Sequence, residues 1–168
     1  MIPIIILIIS FILDGILTNF LPYLVNDLSL FTPLLTVVSI FIIYPFYKKK
    51  EKKYFIILII LGLIYDLSYT NLLFLNAILF LGIGYLSKYI YTNYEVTYLR
   101  LIIYVVILIT IYESATALII FLFQLTPVTI YKVFYKISHS LLLNIIYIEL
   151  VYLILNLIPK KYKKISIN

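Results

Sequence analysis

The chain has 168 residues, of which 65% are hydrophobic and only 12% charged, and its mean hydropathy is +1.16. A soluble domain of this size has too much surface for its volume to hide that much apolar area, so the composition excludes a soluble globular protein and calls for hydrocarbon as solvent. A net charge of +6 would suggest a nucleic-acid partner in a soluble protein, but these lysines abut apolar runs, the pattern of membrane orientation, and with no cysteine there are no disulfides or thiolate metal sites.

A spanning helix needs about 20 apolar residues, and punctuation divides the chain into six stretches of roughly that size. The first, 2–22, opens on MIPIIILIIS. No Lys or Arg precedes that run and no small-residue cleavage site follows it, so it reads as a retained span and not a signal peptide. The second, 31–47, starts near Pro33 and is stopped by KKKEKK at 48–53. The third, 54–69, turns over at Thr70 and Asn71 into the fourth, 74–91. The fifth runs over 99–124, TPVTIYK carries the chain round, and the sixth occupies 137–158 before the tail PKKYKKISIN. The expectation is an all-α integral membrane protein, a six-transmembrane-helix bundle forming a single membrane domain over residues 1–168. The connections are too short for an extramembrane domain.

An even number of spans puts both termini on one side. With the 48–53 run in the cytoplasm, eleven Lys and Arg residues fall inside and only Lys132 and Lys136 fall outside. That is the positive-inside pattern, so both termini are expected to be cytoplasmic. The lysine runs at 48–53 and 160–164 are also placed to meet anionic lipid at the inner leaflet. Trp is absent while Tyr reaches 18, so tyrosines near the span ends, such as Tyr44, Tyr47, Tyr54, Tyr89, Tyr91 and Tyr98, are expected to anchor the interface.

Four carboxylates interrupt the apolar text: Asp14, Asp66, Glu113 and Glu149. Counted from the inner ends of their spans, they lie about 15–20 Å deep, in one layer near the midplane. A charge at that depth is costly, so each is expected to face the bundle interior. Polar or small residues share their faces: Ser10 and Thr18 with Asp14, Gly62 and Tyr69 with Asp66, Thr110 and Ala117 with Glu113, Tyr152 and Asn156 with Glu149. No Lys or Arg sits at their level, so the carboxyl groups are expected to be neutral and hydrogen-bonded to neighbouring hydroxyls. Interhelical hydrogen bonding is the leading reading. A partner- or substrate-facing polar site and a proton or cation relay remain open beside it. His139, the one histidine, reads as an interface or capping residue before a metal ligand. The chain shows no Ser-x-x-Lys, Gly-rich phosphate loop, nucleophile elbow or His-Glu-x-x-His, which argues against an enzyme and gives no reason to expect a cofactor or metal.

The stretch GLIYDLSYTNLLFLNAILFLGIGYL, Gly62 to Leu86, resembles the characteristic segment of the MreD family of bacterial rod shape-determining membrane proteins. There a Gly precedes an Asp on a short third span, a polar turn follows, an Asn-Ala pair opens the fourth span, and a Gly-Tyr lies further along it. Here those positions are Gly62, Asp66, Thr70 with Asn71, Asn76 with Ala77, and Gly84 with Tyr85. One departure is Phe74, where the family commonly shows Gly. The resemblance implies a fold similar to the substrate-binding component of energy-coupling-factor transporters. It implies a non-enzymatic scaffold of the cell-elongation machinery in the bacterial cytoplasmic (inner) membrane, which binds MreC and helps control lateral peptidoglycan synthesis and cell shape. MreB and the RodA–penicillin-binding-protein synthase would be indirect partners. The small-residue face of the third and fourth spans, Gly62, Asp66, Gly82, Gly84 and Tyr85, is the candidate partner interface. The alternative is a small-molecule-binding membrane component of a transporter, whose midplane carboxylates would grip a cationic or polyol substrate.

Overall fold

The computed structural model of the protein describes residues 2–20, 33–70, 72–124 and 129–157. In hydrocarbon every backbone N–H and C=O must be satisfied within the segment, so uninterrupted apolar runs become helices. The described residues hold six: α1 (Ile2–Phe20), α2 (Leu35–Tyr47), α3 (Glu51–Tyr69), α4 (Leu75–Asn93), α5 (Tyr98–Leu122) and α6 (Ile130–Leu157). No strand occurs among them. Tyr98–Leu122 and Ile130–Leu155 are long and apolar enough to cross a membrane, whereas Ile2–Thr18 and Leu35–Tyr47 are apolar but shorter.

Two helices start earlier than the apolar runs suggest. α3 begins at Glu51, inside the lysine run, because a carboxylate suits the first turn and three residues suffice to turn back from α2. α6 begins at Ile130 instead of 137, since nothing in IYKVFYK breaks a helix. The polar stretch LVNDLS at 24–29, Asn71, residues 125–128 and the tail after 157 lie outside the described residues.

α2 is the axis of the molecule. It packs against every other helix, and Leu35 through Tyr44 are all buried, so it has no outward face. α1 lies along it and turns Ile5, Ile8, Ile12 and Ile16 outward. The most extensive pairing is α3 with α4, and α5 pairs with α6. The outer surface is apolar on each peripheral helix, while Asp14, Ser39, Asp66, Asn76, Ser87 and Asn144 are buried. That inversion of the soluble pattern suits a lipid environment.

The aromatic belt is only partly realised. Tyr44, Tyr47 and Tyr54 are buried, not interfacial. The turn between α2 and α3 is so short that rings from the two helix ends meet: Tyr44 and Tyr54 pack edge-on at 5.3 Å, and Tyr91 of α4 closes on Tyr44 at 5.9 Å. The Tyr54 hydroxyl donates to the Ile40 carbonyl at 3.0 Å. Tyr89 does reach the surface.

The α3–α4 turn makes the departure at Phe74 a costly one. This residue lies in the left-handed region, φ 70° and ψ −3°, a conformation glycine adopts freely and an L side chain does not. Its ring is exposed, so little packing compensates. Phe74→Gly is expected to stabilise the protein by about 1 kcal/mol, seen as a higher unfolding midpoint in detergent.

Candidate functional site

The buried carboxylates sit at the starts of other helices. Each α-helix begins with backbone N–H groups that no residue of that helix can satisfy, and an N-terminus inside a bundle cannot leave them to water. α4 begins beside Asp66 of α3. The Asn76 N–H donates to Oδ1 and Oδ2 of Asp66 at 3.0 and 3.1 Å, its side-chain amide donates to Oδ1 at 2.8 Å, and the Ala77 N–H donates to Oδ2 at 3.4 Å. The Thr70 hydroxyl completes the shell, donating to Oδ1 at 3.0 Å. Asp66 has 0% exposure.

α2 is held in the same way. The Leu35 N–H donates to Oδ1 of Asp14 at 2.9 Å and the Thr36 N–H to Oδ2 at 3.0 Å, while the preceding Leu34 N–H donates to Oδ1 of Asn144 on α6 at 3.1 Å. Both carboxylates therefore cap a helix from another helix, where the positive end of the macrodipole also favours them. Asp14→Ala leaves two buried N–H groups without an acceptor. It is expected to cost about 2 kcal/mol, read as a lower unfolding midpoint in detergent.

At Asp66 one of the partners is a hydroxyl, as expected, but at Asp14 they are backbone amides. Ser10 donates to the carbonyls of Ile6 and Leu7, and Thr18 to that of Asp14, so neither serves the Asp14 carboxyl group. Sequence reasoning also passes over Asn144 and Tyr112. The Tyr112 hydroxyl of α5 donates to Oδ1 of Asn76 at 2.6 Å, which joins α5, α4 and α3 through Asp66.

Glu113 is 5% exposed and receives no hydrogen bond from any described residue. Glu149 is a correction. It is exposed on α6, where the Tyr98 hydroxyl donates to it at 3.3 Å. The buried face of α6 carries Ser140, Asn144, Tyr147, Ile148, Val151 and Leu155. Glu149 is five residues past Asn144, about 140° round the helix from it.

The candidate partner face is also largely taken up inside the molecule. Gly62 lies directly on the first turn of α4, where an added Cβ would sit 2.6 Å from the Ala77 nitrogen and 2.8 Å from the Asn76 carbonyl carbon. Gly84 is buried against α3, and a Cβ there would meet the Tyr54 and Phe55 rings at 3.2 and 3.3 Å. With Asp66 they make the α3–α4 joint. Gly82 has open space around it, and Tyr85 is 61% exposed with its ring stacked on Phe55 at 4.5 Å. Only these two remain available to a partner.

At the opposite end, residues 48–53 line a shallow concavity of about 540 Å³. Lys88 and Glu51 form an ion pair at 2.6 Å, and the Tyr44 hydroxyl donates to Glu51 at 3.1 Å. The Lys88 hydrogen bond holds the Glu51 carboxyl below its usual range, so it stays ionised. His139 stacks on Tyr135 at 3.8 Å and its Nδ1–H donates to the Tyr135 carbonyl at 2.8 Å. Among the described residues, no group of three His, Cys, Asp or Glu could hold a metal.

A family model described as "rod shape-determining protein MreD" matches residues 1–162. The chain belongs to the MreD family. MreD is a family of shape-determining membrane proteins and not a known enzyme family. No curated protein matches the chain, and no solved structure does. The family match includes the Gly62–Asp66–Asn76 joint.

Proposed function

We propose that this MreD-family protein is a non-enzymatic scaffold of the cell-elongation machinery. It spans the bacterial cytoplasmic membrane six times with both termini inside, in an arrangement similar to the substrate-binding component of energy-coupling-factor transporters. It docks MreC and thereby helps control lateral peptidoglycan synthesis, with MreB and the RodA–penicillin-binding-protein synthase reached indirectly. The lysine concavity at 48–53 faces anionic lipid headgroups of the inner leaflet.

The observation that carries this reading is the family match over residues 1–162. The use of Asp14 and Asp66 supports it. Their oxygens accept hydrogen bonds from helix N-termini, which leaves them serving cohesion and not chemistry or substrate capture. The test is co-purification of the tagged full-length protein in mild detergent from cells expressing MreC. MreC retained in the eluate supports the scaffold. MreC lost while other membrane partners are recovered overturns it.

A further inference from the structure

Among the described residues, burial along the helices fails over its longest stretch at the far ends of α5 and α6. α3 buries a residue at every turn, at Tyr54, Leu58, Gly62 and Asp66, and α4 buries its residues from Asn76 to Ile90. α5 buries Leu101, Val105, Leu108, Ile109, Tyr112 and Glu113, then nothing from 114 to its end. α6 buries nothing from 130 to 139. The far ends of this helix pair therefore form an arm about 15 Å long whose residues are half-buried at most. Phe121, Leu122, Ile130 and Phe134 of the arm are exposed.

Glu113 lies at the base of that arm. The burial of its side chain calls for a donor, and no described residue supplies one. Its carboxyl oxygens are nevertheless not sealed in, as the unpartnered hydroxyls of Thr36 and Tyr91 are. Thr116, Ala117 and Ile120 follow it on the same side of α5 and are half-buried, a face small enough at Ala117 for another helix to approach closely. Lys136 of α6 attracts the carboxylate electrostatically without forming an ion pair. Lipid chains would cover the apolar side chains of the arm but offer the carboxylate no hydrogen bond.

We propose that the α5–α6 arm is where the partner helix docks, and that the helix is apolar with a hydroxyl, amide or cationic side chain midway that donates to Glu113. The proposal rests on the scaffold reading and moves its interface away from the α3–α4 joint. Asp14 and Asp66 take their donors from this chain; Glu113 takes its donor from another.

The test places a photo-reactive amino acid at Ile120 or Phe121, and at Ile60 on the outward side of α3 as control, in the full-length protein in cells with MreC. MreC adducts are expected from the two arm positions and not from Ile60. Glu113→Leu should lower their yield about tenfold, the loss of one hydrogen bond to a charged group. Glu113→Gln, which keeps an acceptor oxygen, should retain most of the yield. Adducts only with lipid or with a second copy of this chain would overturn the proposal, as would an undiminished yield in Glu113→Leu. If Glu113→Leu does not fold, the wild-type adduct pattern and Glu113→Gln decide. MreC co-purifying without arm adducts refutes the docking site alone, whereas failure to co-purify refutes the scaffold.

Discussion

Asp66→Leu is expected to lower the unfolding free energy by about 3–5 kcal/mol, the largest loss from any single substitution considered for this protein. Leucine fits the volume, so the cost comes from the donors left behind. The backbone N–H groups of Asn76 and Ala77 and the Asn76 amide all point at a carboxylate that has 0% exposure, out of reach of bulk solvent. Each buried orphan donor costs about 1–3 kcal/mol. The damage also spreads, because an unheld Asn76 no longer positions its Oδ1 for the Tyr112 hydroxyl. Asp66→Asn, which keeps one acceptor oxygen but turns an NH2 toward the donors, should lose about half as much. Unfolding midpoints in a fixed detergent measure both. An unchanged midpoint for Asp66→Leu, with normal rod growth in cells, would remove Asp66 from the account.

Gly62→Ala comes next, at about 3 kcal/mol. Overpacking a tight interface costs about 1–3 kcal/mol, and the upper end applies because the obstacle is the backbone of Asn76 and Ala77 and not a side chain that can swing away. The methyl group can be accommodated only by pushing α4 off α3, which lengthens the hydrogen bonds to Asp66 one turn further on. Gly82→Ala is the matched control. Nothing lies near that position, so alanine there should be neutral or stabilise by up to about 1 kcal/mol through its higher helix propensity. Equal losses for the two substitutions would show that the close approach of α3 to α4 is not what Gly62 provides.

The sequence makes some of this legible. A carboxylate inside an apolar run stands out, and the cost of burying it says that it must have partners. It cannot say who they are, because the partners of Asp14 are backbone amides 21 and 22 residues away. Leu34-Leu35-Thr36 carries no mark that a helix begins there inside the molecule. Two misplacements were avoidable. Gly82 and Gly84 are two residues apart, about 200° round a helix, and so could not line one groove. Ser140 and Asn144, four apart, already mark the inward side of α6, and Glu149 falls off it. The burial of Tyr44 and Tyr54 was not readable, since a tyrosine at a helix end looks the same whether it meets lipid headgroups or another ring.

The first amide leading into α2, that of Leu34, is held by Asn144, 110 residues further along. While the chain emerges from the ribosome, then, α2 has only the part of its cap that Asp14 supplies, and four of the five helices packed on it have yet to be made. A 13-residue segment, about 20 Å long, is also too short to settle firmly across a bilayer alone. Its final seat must form late, when the last helix is delivered and locks the second in place. A nascent chain cut before Asn144 would leave the middle of the protein open, an obvious target for membrane quality control.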